Sequence, residues 1–203
     1  TTLFRSVING KCVESEKNAY YVYKHAFSAD DLGSKISISG QDAQKIDYTT
    51  KDADGNSFTK YYLRLSLKNG EGWLSNMSPV TMNSDSELYL SDGDYRVEAY
   101  QSADEKGRAY YITDTWNITS VDKTAEITTA AASKITADYA AGVSGTLELE
   151  GSSAQDKIPF LGGSIQGQEI YISPGGEYIA AAQMSAEQDG QEWAITMEKD
   201  APV

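Results

Sequence analysis

The feature that most constrains the fold of this chain is the alternation of apolar and polar residues over many short stretches. The stretch "YYLRLSL" at residues 61–67 places Tyr61 and three leucines on one side, and Tyr62, Arg64 and Ser66 on the other. The stretch "DYRVEAY" at residues 94–100 alternates in the same way. Successive side chains of a β-strand point to opposite faces, so this pattern predicts half-buried strands.

Turn-forming residues separate these stretches at short intervals. They include "DGN" at residues 54–56, "NG" at 69–70, "DG" at 92–93, "GG" at 162–163 and "PGG" at 174–176. The segment "TTAAASKITADYAA" at residues 128–141 has some helix-forming residues, but its threonines and isoleucine favour a strand, a connector and another strand. Short strands at regular spacing predict an all-β fold of antiparallel sandwich type.

One unit of this pattern occurs twice. "LYLSDGDY" at residues 88–95 matches "IYISPGGEY" at residues 170–178, and "WNIT" at 116–119 is echoed by "WAIT" at 193–196. A strand, turn, strand, loop and strand therefore follow each other in the same order in both copies. We predict two tandem antiparallel β-sandwich domains, residues 1–130 and a smaller domain at residues 131–203, with Trp116 and Trp193 in their cores.

The repeated turn resembles a pattern of bacterial surface proteins. "LSDGDYRVEA" at residues 90–99 and "ISPGGEYIAA" at 172–181 are similar to the tight turn and following strand of prealbumin-like and immunoglobulin-like modules. Such modules include collagen-adhesin B-type repeats and the fimbrillin-type proteins of gut Bacteroidetes. The resemblance implies that the glycine permits the turn, that the tyrosine packs inward, and that the unit carries no catalytic residue. It also implies a role in adhesion or in fimbria-related structure.

The charge and the cysteine content limit the cellular location of the protein and the classes of partner that it binds. The chain has 30 acidic and 17 basic residues, a formal net charge of -13. Such a surface repels phosphate backbones, so we expect no nucleic-acid partner. No apolar stretch is long enough to span a membrane. Cys12 is the one cysteine, which fits a secreted or cell-surface bacterial protein; a lipid anchor attached through a removed leader fits the same location.

No group of residues identifies a reaction. His25 is the one histidine, and with Cys12 it cannot complete a zinc site. The surroundings of Cys12, "NGKCVES", lack a nucleophile elbow. Two carboxylates for glycoside hydrolysis cannot be selected among so many acidic residues. We therefore expect a non-catalytic module.

Three aromatic residues are candidates for binding. Trp73 lies in the loop-like "NGEGWLSN", and Tyr21 and Tyr23 lie in the aromatic stretch "YYVYKHAF" at residues 20–27. Exposed rings can stack on sugars or on side chains of a partner, although a strand also needs such residues for its core. The first hypothesis is an adhesion module that contacts a protein partner or itself. The alternative is a carbohydrate-binding module of a polysaccharide-utilising system, with a glycan as partner.

One acidic loop suggests a metal. "KDADGNSF" at residues 51–58 offers oxygen atoms from Asp52, Asp54 and Asn56, the ligand type that calcium prefers. The loop lacks the twelve-residue spacing of an EF-hand, and a hairpin turn explains the same residues without a metal. Calcium at this loop is thus a hypothesis, and we expect no other cofactor.

Overall fold

A computed structural model describes residues 3–12, 19–28, 33, 43–75, 79–139, 143–153, 159–188 and 191–202, with side chains for all of these except residues 3–12, 23–28, 75 and 183–202. These residues form strands, turns and connecting segments, and none of them is helical. The described chain is therefore all-β, as the alternation predicts. Residues 128–139, the described part of the ambiguous region, hold the last residue of one strand, a connector and a second short strand.

The described residues form seventeen strands. In chain order they are β1 Leu3–Cys12, β2 Ala19–Ser28, β3 Gln44–Lys45, β4 Asp47–Lys51, β5 Lys60–Asn69, β6 Gly72–Ser75, β7 Val80–Asn83, β8 Glu87–Leu90, β9 Gly93–Gln101, β10 Arg108–Ile118, β11 Thr124–Thr128, β12 Ser133–Thr136, β13 Val143–Ser152, β14 Pro159–Gly167, β15 Glu169–Ile172, β16 Glu177–Gln188 and β17 Gln191–Pro202.

The strands form four sheets. The first sheet has the order β1-β2-β8-β3, and the main sheet has the order β12-β15-β10-β9-β5-β6, with β7 also paired to β5. A small sheet joins β11 to β4, and the C-terminal sheet has the order β14-β13-β16-β17. Most neighbours are antiparallel, but three pairs are parallel: β2 with β8, β10 with β15, and β4 with β11.

Both copies of the repeated unit fold as the same series of elements. A short strand, a turn, a long strand, a loop and a second long strand follow in order as β8, β9 and β10, and again as β15, β16 and β17. In each copy the short strand lies in one sheet, and the two long strands form an antiparallel pair in the next sheet.

The tryptophans that end the two copies are not equivalent in register. Trp116 pairs with Tyr95, whereas the residue that pairs with Tyr178 is Ala201, and Trp193 pairs with Ala186. The connection between β16 and β17 is shorter than the connection between β9 and β10, and β16 and β17 extend further towards it. Trp193 therefore pairs far from Tyr178, close to the connection. Trp116 is buried in the core, and the side chain of Trp193 lies outside the described residues.

Strand β10 contributes to two hydrophobic cores. Tyr110, Ile112 and Trp116 pack with side chains of β5, β8 and β9 in one core. Ala109 and Tyr111, on the opposite face, pack with side chains of β13, β14 and β15 in the second core. Consecutive residues 109–112 are therefore all buried, because β10 has a core on each side.

The main sheet contains strands from both sides of residue 130. β12 and β15 follow that residue in sequence and lie in the same sheet as β5, β9 and β10. The two segments 1–130 and 131–203 are thus hydrogen-bonded to each other through the pairing of β10 with β15. The domain boundary at residue 130 itself stays a prediction.

Candidate functional site

A cluster of four side chains joins the hairpin β1–β2 to the strand β8. Tyr21 on β2 stacks on Tyr89 of β8, with ring centroids 4.6 Å apart. The Tyr89 hydroxyl donates to Glu87 Oε2 at 3.0 Å. The ammonium of Lys45, on the neighbouring strand β3, lies 2.8 Å from Glu87 Oε1. One acidic residue thus holds a tyrosine of its own strand and a lysine of the next.

The same cluster occurs between β10, β15 and β12. Tyr110 stacks on Tyr171 with ring centroids 5.2 Å apart. The Tyr171 hydroxyl donates to Glu169 Oε2 at 3.3 Å, and the Lys134 ammonium lies 2.5 Å from Glu169 Oε1. Two tyrosines, a glutamate and a lysine therefore recur in the same arrangement at two places, and we call each of these two clusters a strand junction.

The main chain repeats together with the side chains. The amide of Ser91 donates to the carbonyl oxygen of Val22 at 3.1 Å, and the amide of Ser173 donates to that of Tyr111 at 3.0 Å. Each bond continues the parallel pairing past the end of the short strand. The register of both junctions is therefore fixed by backbone hydrogen bonds as well as by the tyrosine stack.

The sequence of the short strands explains their position. "ELYLS" and "EIYIS" alternate, so their aliphatic residues point to one face and the glutamate and tyrosine to the other. The aliphatic residues Leu88, Leu90, Ile170 and Ile172 are at most 1 % exposed. On the opposite face, the hydrogen bonds that Lys45 and Lys134 donate to Glu87 and Glu169 raise the pKa of the two lysines.

A buried ion pair connects the main sheet to the C-terminal sheet. Arg64 on β5 donates to Glu98 on β9 through Nε and Nη2, at 2.5 and 2.6 Å, and also to the carbonyl oxygen of Pro159 on β14 at 3.1 Å. The Tyr111 hydroxyl donates to the same carboxylate at 2.5 Å. Burial of this cluster raises the pKa of Tyr111, and the ring of Phe160 packs 4.7 Å away from that of Tyr111.

The three aromatic candidates for binding do not form one platform in the described structure. Trp73 lies on β6 in the main sheet and is half-buried, with the guanidinium of Arg96 4.0 Å from its ring centroid. Tyr21 belongs to the first junction and lies in the other sheet. The side chain of Tyr23 lies outside the described residues. Ligand binding by these residues stays a prediction.

The acidic loop at Asp52 is a turn whose carboxylates face two cations. Asp52 Oδ1 accepts the backbone amides of Asp54 and Asn56 at 2.9 and 2.8 Å. Asp54 Oδ2 lies 2.6 Å from the Lys106 ammonium and 2.9 Å from Arg108 Nη1. The hydrogen bonds from Lys106 and Arg108 lower the pKa of Asp54. Calcium binding stays a prediction, and it would require these cations to move away.

Arg108 also holds the loop between β9 and β10. Its Nε donates to Asp104 Oδ2 at 2.9 Å, and its backbone amide donates to Asp104 Oδ1 at 3.0 Å. Burial by itself raises the pKa of Asp104, but these hydrogen bonds outweigh burial and lower it overall. Among the described residues, no group of three or more histidine, cysteine, aspartate or glutamate side chains is placed to hold a metal.

Beside this loop lies an open groove of about 600 Å³. The Tyr100 ring forms one wall and stacks with that of Tyr62, with centroids 6.1 Å apart. The rest of the lining is small or neutral: Ser102, Ala103, Gly107, Thr146, Gly162, Ser164, Gln166, Gly167 and Gln168. Sequence reasoning missed this groove, because its residues come from three strands, a loop and a connecting residue that are distant in sequence.

Comparison with known proteins adds little to these observations. No family model matches the sequence, and no curated protein matches it. Among solved structures, a candidate adhesin from Bacteroides ovatus is similar over 77 % of this chain and 82 % of its own, with 11 % sequence identity and a TM-score of 0.28. A TM-score this low carries no conclusion about function. No helix able to cross a bilayer occurs in the described part of the chain.

Proposed function

We propose that this chain is a non-catalytic structural module of a secreted or cell-surface bacterial protein that serves adhesion or fimbria-related assembly. In this proposal its units are two tandem β-sandwiches of immunoglobulin-like or prealbumin-like type. The observation that carries the proposal is the repeated strand junction. A short parallel strand joins each later long hairpin, β9–β10 and β16–β17, to the hairpin before it, and this is the construction of an extended array.

The physical basis is the stiffness of such a connection. Units joined by a flexible linker move independently, whereas a shared strand fixes the neighbouring unit by hydrogen bonds and by burial. Full burial of one leucine or isoleucine contributes about 1.5–3 kcal/mol, and each junction buries two of them. A module that keeps adjacent units in a fixed arrangement suits a stalk or an adhesive surface protein, which must hold its binding surface away from the cell.

The composition supports a location outside the cytoplasm. One cysteine in 203 residues and a net charge of -13 fit a protein exposed to the external medium. The turn pattern at residues 90–99 and 172–181 resembles that of bacterial surface modules, which supports the same location.

Surface labelling tests the proposal. Antibodies against this chain should label intact cells of the source bacterium, or detect the protein in the medium, and external protease should remove the surface label. A cytoplasmic protein followed in the same samples controls for lysis. A deletion strain should adhere less to host material or to neighbouring cells, and re-expression should restore adhesion. Detection of the protein only after permeabilisation contradicts the proposal.

A second candidate function is carbohydrate binding, and the groove at Tyr100 favours it. Its serine, threonine and glutamine side chains carry no charge, and the tyrosine ring can stack on a sugar. Affinity electrophoresis in gels that contain neutral polysaccharides tests this function. Retardation that is lost in Tyr100→Ala and kept in Trp73→Ala places the site in the groove, and the reverse result places it at Trp73. Equal mobility in every polysaccharide rejects this candidate.

A further inference from the structure

Strand β17 has a long edge that pairs with no described strand. It is the last strand of the C-terminal sheet, and its twelve residues pair with β16 along one side. An exposed edge of this length is a template for another strand, and natural proteins normally cover or interrupt such edges. The question is what covers this one.

In two other hairpins of the chain, part of the equivalent edge is covered by another strand. The hairpins β1–β2, β9–β10 and β16–β17 are each a pair of long antiparallel strands. In the first two, the second strand receives a short parallel strand at the end next to its hairpin loop. Residues 19–22 of β2 receive β8, and residues 108–111 of β10 receive β15.

The register of the third hairpin identifies the equivalent segment of β17. Tyr111 pairs with Tyr100, which is five residues after the turn tyrosine Tyr95. Thr196 pairs with Gln183, which is five residues after the turn tyrosine Tyr178. Thr196 is therefore the counterpart of Tyr111, and residues 193–196 are the counterpart of residues 108–111. Ile195 stands where Tyr21 and Tyr110 stand in the two junctions.

We propose that residues 193–196 of β17 are the acceptor for a short parallel strand of a further β unit of the same type. The partner carries a strand of the form Glu-aliphatic-Tyr-aliphatic-Ser, with a lysine on its antiparallel neighbour, because both observed junctions use that chemistry. This inference extends the proposed function, since it makes the junction the rule by which successive units are added. Isoleucine at position 195 replaces the second tyrosine of the observed junctions, and pairs of an aromatic and a β-branched residue are common on neighbouring strands.

A fusion in one polypeptide tests the acceptor. A second copy of residues 119–203 is appended directly after Val203, because position 203 is the register counterpart of Ile118. Hydrogen exchange is then compared between the fusion and the original chain. By equivalence with Tyr111, whose carbonyl faces β15, the amides of Ala194 and Thr196 face outward. We expect them to exchange at least about 100-fold more slowly in the fusion, since a new ladder closes over them.

The control is the fusion with Tyr171→Pro in the appended copy alone, which removes a ladder amide from the incoming strand. Protection of Ala194 and Thr196 should disappear there. Unchanged exchange of the two amides in the first fusion, with β13 and β16 of the appended unit protected, overturns the proposal.

If the appended unit does not fold, a peptide of residues 167–175 added to the original chain decides the matter. Saturable shifts in the NMR signals of the same two amides support the acceptor, with a scrambled peptide as control. No shift at millimolar peptide overturns it. Neither experiment depends on where the protein is located, so failure here and failure of surface labelling are distinguishable.

Discussion

Replacement of Glu98 by glutamine tests whether the buried ion pair holds the main sheet against β14. The Glu98 side chain is 3 % exposed, and its carboxylate accepts hydrogen bonds from Arg64 and Tyr111. Glutamine keeps the volume and one oxygen acceptor but removes the negative charge. The Arg64 side chain, which is 15 % exposed, then remains mostly buried and without its counter-charge.

The magnitude follows from the burial of the remaining charge. Loss of one partner of a buried ion pair typically costs about 3–5 kcal/mol. Because Arg64 retains some contact with water and its bond to the Pro159 carbonyl, we place Glu98→Gln at the lower end, about 3 kcal/mol. For a chain of this size, 1 kcal/mol shifts Tm by about 2–4 °C, so Tm should fall by roughly 6–12 °C.

Thermal and urea denaturation measure the effect against a matched control. Glu126 forms an exposed ion pair with Lys51, and Glu126→Gln should cost no more than about 1 kcal/mol. The double variant Arg64→Met with Glu98→Leu buries no charge, so it should be more stable than Glu98→Gln alone. Equal losses in Glu98→Gln and Glu126→Gln would refute the reasoning, and so would a double variant less stable than Glu98→Gln.

Three further predictions concern two glycines of the C-terminal sheet, the second junction and the loop between β9 and β10. Gly151→Ala should destabilise the chain by at least about 2 kcal/mol in urea denaturation, because the new Cβ would lie 2.1 Å from a main-chain oxygen of β16. Gly163→Ala is the control. Its Cβ would have no atom within 4 Å, so it should cost about 1 kcal/mol for the backbone conformation alone. Tyr171→Leu should cost about 1 kcal/mol by the same assay, since it removes the aromatic stack but keeps an apolar side chain; wild-type stability would contradict this. In the folded protein the pKa of Asp104 lies below its ordinary value of 3.8. The stability that results is present above pH 3.8 and is lost as the pH falls through the folded pKa. Arg108→Gln should flatten this part of the stability–pH curve.

The alternation of residues 61–67 predicted the strand correctly but not the surroundings of its polar face. Arg64 and Ser66 were expected on the polar side, yet Ser66 is 3 % exposed and Glu98, opposite Arg64, is 2 % exposed. The reason is that β14 and β10 supply contacts to that face from far along the chain. Periodicity records which face a residue points to, and it holds no information about what lies against that face.

The repeated unit also shows which features the sequence reveals and which only the structure reveals. The sequence shows that two copies exist, and the structure gives both copies the same series of strands. The tryptophan echo suggested that the copies match to their ends, but the register of β17 places Trp193 opposite Ala186 rather than opposite Tyr178. A local match of four letters cannot fix a register that depends on the length of the connection before it.

By itself, the sequence of this protein determined the all-β class, several of the turns and the duplication, because alternation and turn chemistry are properties of a few consecutive residues. It misplaced one turn, since the "GG" at residues 162–163 lies inside β14. The short strands of the two junctions, "ELYLS" and "EIYIS", are also part of the repeat that the sequence shows. Only the tertiary structure decided that "ELYLS" and "EIYIS" each lie parallel to the second strand of an earlier hairpin, and that Asp54 faces Arg108. Strand partners are chosen by which arrangement buries both faces of the sheets and pairs the backbone groups, and that choice involves the whole chain at once.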